Sequence, residues 1–178
     1  MNTLENIAGQ AGKAGLELLL AGGHAVIAHG HPRNTFDVDL IVRRRDRGRW
    51  MTLAQDLGYH LLRDGPTFVQ FNPPSAQVFP LDLMLVGDET FAGLMADSAP
   101  APGGVTSAKV VSLPHLLALK CHAIKHGHAG RIVKDVDDVI NLVKVNRLDM
   151  SAPQMRELFL KYGTADLYEK VRRSCEQD

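Results

Sequence analysis

The sequence predicts an α/β (α+β) half up to about residue 100, followed by a helical half. Three observations carry this. Short aliphatic runs recur between residues 16 and 86, bounded by glycine, proline and asparagine. The stretch SAPAPGG, residues 98–104, reads as a linker. From Leu113 onward apolar residues return every third or fourth position, the period of a helix packed on one side. Two regions are therefore expected: an α/β core over 1–100, and a helical C-terminal region over 105–178 packed on it.

In chain order, residues 3–14 predict a short helix weakened by Gly9 and Gly12. Leu16–Ala21 is a compact apolar run ending in Gly22-Gly23, which reads as a buried strand and a turn, with a helix starting near His24. Thr35–Val42 alternates and then becomes wholly apolar, the signature of a central strand. Trp50, Leu53, Ala54 and Leu57 share a helix face over 47–57, and Gly58 suits its C-terminal end. Strands are predicted at 59–62, 67–72 and 78–86, and a helix at 88–97. Val110 and Val111 can add a strand. Helices are then expected over 113–126, 131–145, 151–162 and 164–175.

At 178 residues, 45% hydrophobic and 22% charged, the chain can bury a core without disulfides or structural metal. Twenty basic and twenty acidic residues cancel. That argues against a protein held on nucleic acid by a pervasive positive field. Cys121 and Cys175 form no CxxC or disulfide pattern. The N-terminal residues lack the basic and apolar regions of a signal peptide, and no apolar run approaches the ~20 residues that span a bilayer. The expectation is a cytoplasmic protein with no membrane partner.

The chemistry concentrates in two strands. In Asp37-Val38-Asp39 the carboxylates project to one side of an otherwise apolar strand, with Cα atoms about 6.5–7 Å apart. Both can converge on hard divalent cations, which favour carboxylate and phosphate oxygens. Asp82 opens a second apolar run, Leu81–Val86, and adds a third carboxylate if the strands are neighbours. A DxD pattern is by itself common and often merely solvated. The glycine pair upstream and Asp82 downstream shift the balance towards a two-metal phosphoryl-transfer site.

With those residues in view, LLLAGGHAVIAHGHPRNTFDVDLIV, residues 18–42, resembles the signature of the DNA polymerase β-like nucleotidyltransferases. That signature is an aliphatic run, Gly-Gly or Gly-Ser, a short helix, and Asp-h-Asp-h. Arg33, Thr35, Asp37 and Asp39 match the Arg-x-Thr-x-Asp-x-Asp string of small bacterial abortive-infection toxin and antibiotic-type enzymes. SLPHLLALK followed by KDVDDV is similar to their helical half.

The resemblance implies a nucleotidyltransferase fold, with a mixed central sheet flanked by helices and a C-terminal helical region. It implies transfer of a nucleoside monophosphate from a nucleoside triphosphate to an acceptor hydroxyl, with Mg²⁺ or Mn²⁺ as cofactor and release of pyrophosphate. Asp37, Asp39 and Asp82 would be catalytic and hold metal, Asp82 as ligand or general base. Gly22, Gly23, Arg33, Thr35 and Lys120 would bind the nucleotide, with Asp135 and Asp138 orienting Lys120. The acceptor (small molecule, tRNA or protein) stays open, as does a protein partner of toxin–antitoxin type. Many members carry serine where this chain has Gly23.

Each assignment has a plainer counterpart. The glycine pair can be a tight turn, Arg33 a loop charge and His24 a structural residue. Lys120 lies on the apolar stripe of its helix, where a bridge to Asp135 or Asp138 would pin two helices together. His122, His126 and His128 have a spacing that can bind zinc, or simply form a polar helix end. The arginines at 43, 44, 45, 47 and 49 suit either RNA or a solvated loop. Arg43 lies about 13 Å along the strand from Asp39, towards the opposite sheet end. The rival functions are a non-catalytic antitoxin or scaffold of this fold, and an RNA-binding module.

Overall fold

A computed structural model of the chain describes residues 3–101, 108–127 and 129–176. Its first half runs α1 (Thr3–Lys13), β1 (Leu19–Leu20), α2 (Gly22–Ala28), β2 (Val38–Arg43), a 3-10 turn (Arg44–Asp46) and α3 (Arg47–Asp56). It continues with β3 (His60–Asp64), β4 (Phe68–Asn72), β5 (Leu81–Val86), α4 (Asp88–Ala96), β6 (Ala99–Pro100) and β7 (Lys109–Val110). The helices α5 (Leu113–His126), α6 (Ala129–Val145), α7 (Pro153–Tyr162) and α8 (Ala165–Cys175) follow. Two compact units result. One comprises the residues up to Ala28 together with Arg33–Ser112, and the other His29–Pro32 together with the residues from Leu113 onward.

The strands of the first unit form one mixed sheet, in the order β3-β4-β5-β2-β1-β7-β6 among the described residues. β2 and β5, the most aliphatic strands, lie side by side and parallel, with Val38 opposite Leu81 and Leu40 opposite Leu83. β1 pairs antiparallel with β2 and parallel with β7, while β4 pairs antiparallel with β5. Burying β2 and β5 on both faces is what their near-continuous apolar runs require. Trp50, Phe71 and Phe91 complete the core of this unit, all fully buried.

Several boundaries differ from the sequence expectation, each for a local reason. The strand expected over 16–21 pairs only at Leu19 and Leu20, because Gly22 turns the chain at φ +53° and α2 begins there. β2 begins at Val38 rather than Thr35. The first ladder contact is Val38 N–H donating to Pro80 O at 2.9 Å, while the Thr35 hydroxyl bonds the Asp37 carboxylate instead. The same contact sets the start of β5 at Leu81 rather than 78. Within the expected linker, Ala99–Pro100 form the edge strand β6, antiparallel to β7. Residues 102–104 of that stretch lie outside the described residues. Glycines 9 and 12 do not stop α1, whose Leu4, Ile7, Ala8 and Ala11 are buried along one face.

In the helical unit α5 packs on α6 and α7, and α8 on both α6 and α7. Val139, Leu142, Phe159 and Val171 are fully buried there. Thr164 caps α8 by accepting the Leu167 N–H at 3.1 Å, and the Tyr168 hydroxyl donates to Met150 O at 2.6 Å. No helix among the described residues is long and apolar enough to cross a membrane.

Candidate active site

The parallel pairing of β2 and β5 puts Asp39 directly opposite Asp82. Register partners on neighbouring strands share a face and stand about 4.8 Å apart, so the two carboxylates are side by side. Asp82 is only 7% exposed. Asp37 precedes Asp39 by two residues in extended chain, with its Oδ1 accepting the Thr35 hydroxyl at 2.8 Å. A buried carboxylate is costly unless donors or a cation meet it.

The glycine turn closes against these groups. Ala21 N–H donates to Asp39 O at 3.0 Å, which lays the turn along the start of β2. Gly22 holds φ +53°, and a Cβ there would stand inside the Asp39 carboxylate. Two independent reasons therefore demand glycine: the left-handed backbone and the space. At Gly23 a Cβ would overlap the Thr35 hydroxyl and approach Arg33 Nη2 to 2.8 Å. A side chain at this position would have to displace that of Thr35.

The fold thus brings together Gly22, Gly23, Arg33, Thr35, Asp37, Asp39 and Asp82, seven of the residues singled out from sequence. His24 belongs with them. Burial lowers its pKa, which Arg33 lowers further and Asp37 raises in part, so the ring is neutral at pH 7. Its ring centroid lies 6.5 Å from that of Phe79, and Nε2 is buried without a hydrogen-bond partner among the described residues.

Whether the carboxylates suit a divalent cation is answered by the donor set. Among the described residues no three His, Cys, Asp or Glu side chains stand together as a ready metal cage, so Asp37, Asp39 and Asp82 do not form a closed trio. Mg²⁺ seldom uses such a cage. It keeps waters and takes one or two carboxylates together with substrate phosphates. The Asp39–Asp82 pair beside a turn where Cβ atoms are excluded fits that mode of binding.

Lys120, Asp135 and Asp138 meet inside the helical unit. Lys120 Nζ donates to Asp135 Oδ1 at 2.6 Å and to Asp138 Oδ2 at 2.7 Å, joining α5 to α6. Lys120 is 8% exposed and Asp138 is fully buried. The sequence allowed either bridge, and both form.

Most arginines of the cluster pair with acidic groups of their own unit, with Arg44, Arg45 and Arg49 still exposed. Arg43 pairs with Glu17 at 3.0 Å and Asp88 at 3.6 Å, with its guanidinium 4.5 Å from the Phe91 ring centre. Arg45 pairs with Asp88, Arg47 with Asp64, and Arg49 with Asp46, while Arg44 donates to Leu85 O. The rings of His122 and His126 meet at a tilt of 47° with centroids 4.5 Å apart on α5, and His128 lies outside the described residues.

Sequence reasoning missed one residue at the site. Gln70 on β4 is the register partner of Asp82, and its Nε2 donates to Asp82 Oδ1 at 3.2 Å and Oδ2 at 3.1 Å. The only signal was a lone polar residue between Val69 and Phe71. It became meaningful once β4 was known to lie beside β5.

No family model matches the chain, and no curated protein matches it. Solved structures do. A solution structure of the antibiotic-resistance factor ANT(2'')-Ia is 15% identical, over 99% of this chain and 97% of that one, with a TM-score of 0.69. ANT(2'')-Ia in complex with adenylyl-2''-tobramycin is 17% identical over 88% and 92%, with a TM-score of 0.65. Lincomycin-bound LnuA, a lincosamide antibiotic adenylyltransferase, is 16% identical over 80% and 96%, with a TM-score of 0.57. Sheet order, carboxylate register and these likenesses agree: this chain has a nucleotidyltransferase fold.

Proposed function

We propose that this protein transfers a nucleoside monophosphate from a nucleoside triphosphate to an acceptor hydroxyl, with release of pyrophosphate. The observation that carries this reading is the fit of Gly22 against Asp39, with Asp82 beside it in register. A structural turn needs no space so closely reserved for a carboxylate. A Mg²⁺ or Mn²⁺ ion bound there would neutralise charge on the transferring phosphoryl group and on both the attacking and leaving oxygens.

The chain's own groups divide the remaining work. Asp37 and Asp39 would hold the metal, with Thr35 fixing the Asp37 carboxylate through its hydroxyl. Gly22 and Gly23 let phosphate oxygens approach backbone N–H groups, and the fork of Arg33 suits phosphate. Asp82 would act as a further metal ligand or as the general base that takes the proton of the acceptor hydroxyl. The oxygen–phosphorus bond to the acceptor forms as the α–β phosphoanhydride bond breaks, and the proton leaves with the carboxylate or water. Lys120 serves the helical unit as a pin between α5 and α6.

Among acceptors we favour small molecules, because the similar structures of matching length include an antibiotic-resistance factor seen with an adenylylated antibiotic and a lincosamide adenylyltransferase. The test is incubation with each α-³²P-labelled triphosphate, Mg²⁺ and either cell extract or a panel of hydroxylated small molecules. Wild type should label an acceptor, and Asp37→Ala/Asp39→Ala should not. Equal labelling by the two proteins, or none with any triphosphate, would refute an enzymatic role.

A further inference from the structure

We infer that Gln70 is a positioning residue for the metal site, which holds the Asp82 carboxylate in place beside Asp39. The inference rests on the proposed transfer reaction and adds a residue to it. Three neighbouring strands present one row, Gln70–Asp82–Asp39, each member in register with the next. Gln70 Nε2 donates to both oxygens of Asp82, at 3.1 and 3.2 Å. Held from the β4 side in this way, the carboxylate keeps its plane and its place beside Asp39.

A carboxylate has about four lone-pair sites, so the shared contact from one amide nitrogen leaves capacity for a cation. Gln70 is neutral, so it orients the carboxylate without adding charge to compete for the cation.

The plainer account is that Gln70 only satisfies a buried carboxylate. A double-mutant cycle read by metal binding separates the two. The probe is Mn²⁺ with inorganic tripolyphosphate, followed by electron paramagnetic resonance of the protein-bound ion, which needs no knowledge of the nucleotide or acceptor. Gln70→Met, close in shape but without donors, should weaken Mn²⁺ binding about 10- to 100-fold, as a lost ligand-orienting contact does at other metal sites.

Gln70→Asn, which keeps the amide but withdraws it by one methylene, should behave like Gln70→Met and serves if the apolar variant does not fold. Asp82→Ala should weaken binding at least as much, and Gln70→Met/Asp82→Ala no further than Asp82→Ala alone. Wild-type affinity in Gln70→Met or Gln70→Asn, or losses that simply add in the double variant, would overturn the positioning role while leaving the transfer reaction intact. Absence of any Asp39-dependent Mn²⁺ binding in wild type would instead remove the reaction, and Gln70's role with it.

Discussion

At the scale of single residues the site is built by exclusion of atoms as much as by their presence. Gly22 and Gly23 stand where Asp39 and Thr35 need room, so adding one methyl group tests the arrangement directly. Gly22→Ala places a side chain at φ +53°, which costs about 1–2 kcal/mol for an ordinary residue, and also displaces the Asp39 carboxylate. The expected outcome is a lower urea midpoint together with loss of Mn²⁺ binding. Gly23→Ala meets the Thr35 side chain instead of a carboxylate. It should impair binding of Mn²⁺ and tripolyphosphate, and Thr35→Gly in the same chain should restore part of it by clearing the space. No recovery in the double variant would show that Gly23 is needed for its backbone rather than its volume. The volume allowed at position 23 is thus tied to Thr35, a coupling between residues twelve apart that only the folded turn reveals.

At the scale of elements, what was legible in the sequence depended on how local its cause was. The helices α5 to α8 announce themselves by apolar period, and the Asp-Val-Asp strand by alternation, because each pattern is complete within its own segment. Strand pairing is not local. Gln70 could not be recognised as a neighbour of Asp82 without the antiparallel β4–β5 register, nor the arginines as ion-paired without Glu17, Asp64 and Asp88 from distant segments. The edge strand β6 was read as linker because alanine and proline carry no strand signal. The α5–α6 contact lies between these extremes, since Lys120 on an apolar stripe demands a partner while the partner's identity stays ambiguous. With Lys120 held by both Asp135 and Asp138, Lys120→Met leaves two carboxylates in the helix interface, one of them fully buried. Breaking a buried ion pair from one side costs about 3–5 kcal/mol. Urea unfolding should show that loss, and Lys120→Met/Asp135→Asn/Asp138→Leu should recover most of it. Full stability of Lys120→Met alone would mean that the cluster does not pin the helices.

At the scale of the whole molecule, charge balance and buried titratable groups set the conditions under which the fold holds. Formal charges cancel near neutrality, so pH acts through individual groups rather than through overall repulsion. His24 has its pKa lowered by burial, so the fold prefers the neutral ring. Its contribution is fully present above the unfolded value near 6.5 and is lost as pH falls below that. Burial pushes the Tyr59 hydroxyl and the Cys121 thiol up to about 12 each. Both fold as the protonated form, so between about pH 9 and 12 the native state binds more protons than the unfolded chain, and stability falls as pH rises. A plateau between about pH 6.5 and 9 is the expected outcome in urea titrations. Cys121→Ala should flatten the decline that starts near pH 9, and Tyr59→Phe the part above 10. The same burial predicts reactivity. Alkylation needs the thiolate, and Cys121 is both fully buried and un-ionised at pH 8, whereas Cys175 is partly exposed. Iodoacetamide on the native protein at pH 8 should therefore add one label, at Cys175, and a second only after unfolding in urea. Equal labelling of both cysteines in the native state would show that the α5 core opens far more readily than its packing implies, and would place Cys121 outside the set of groups that set the alkaline limit.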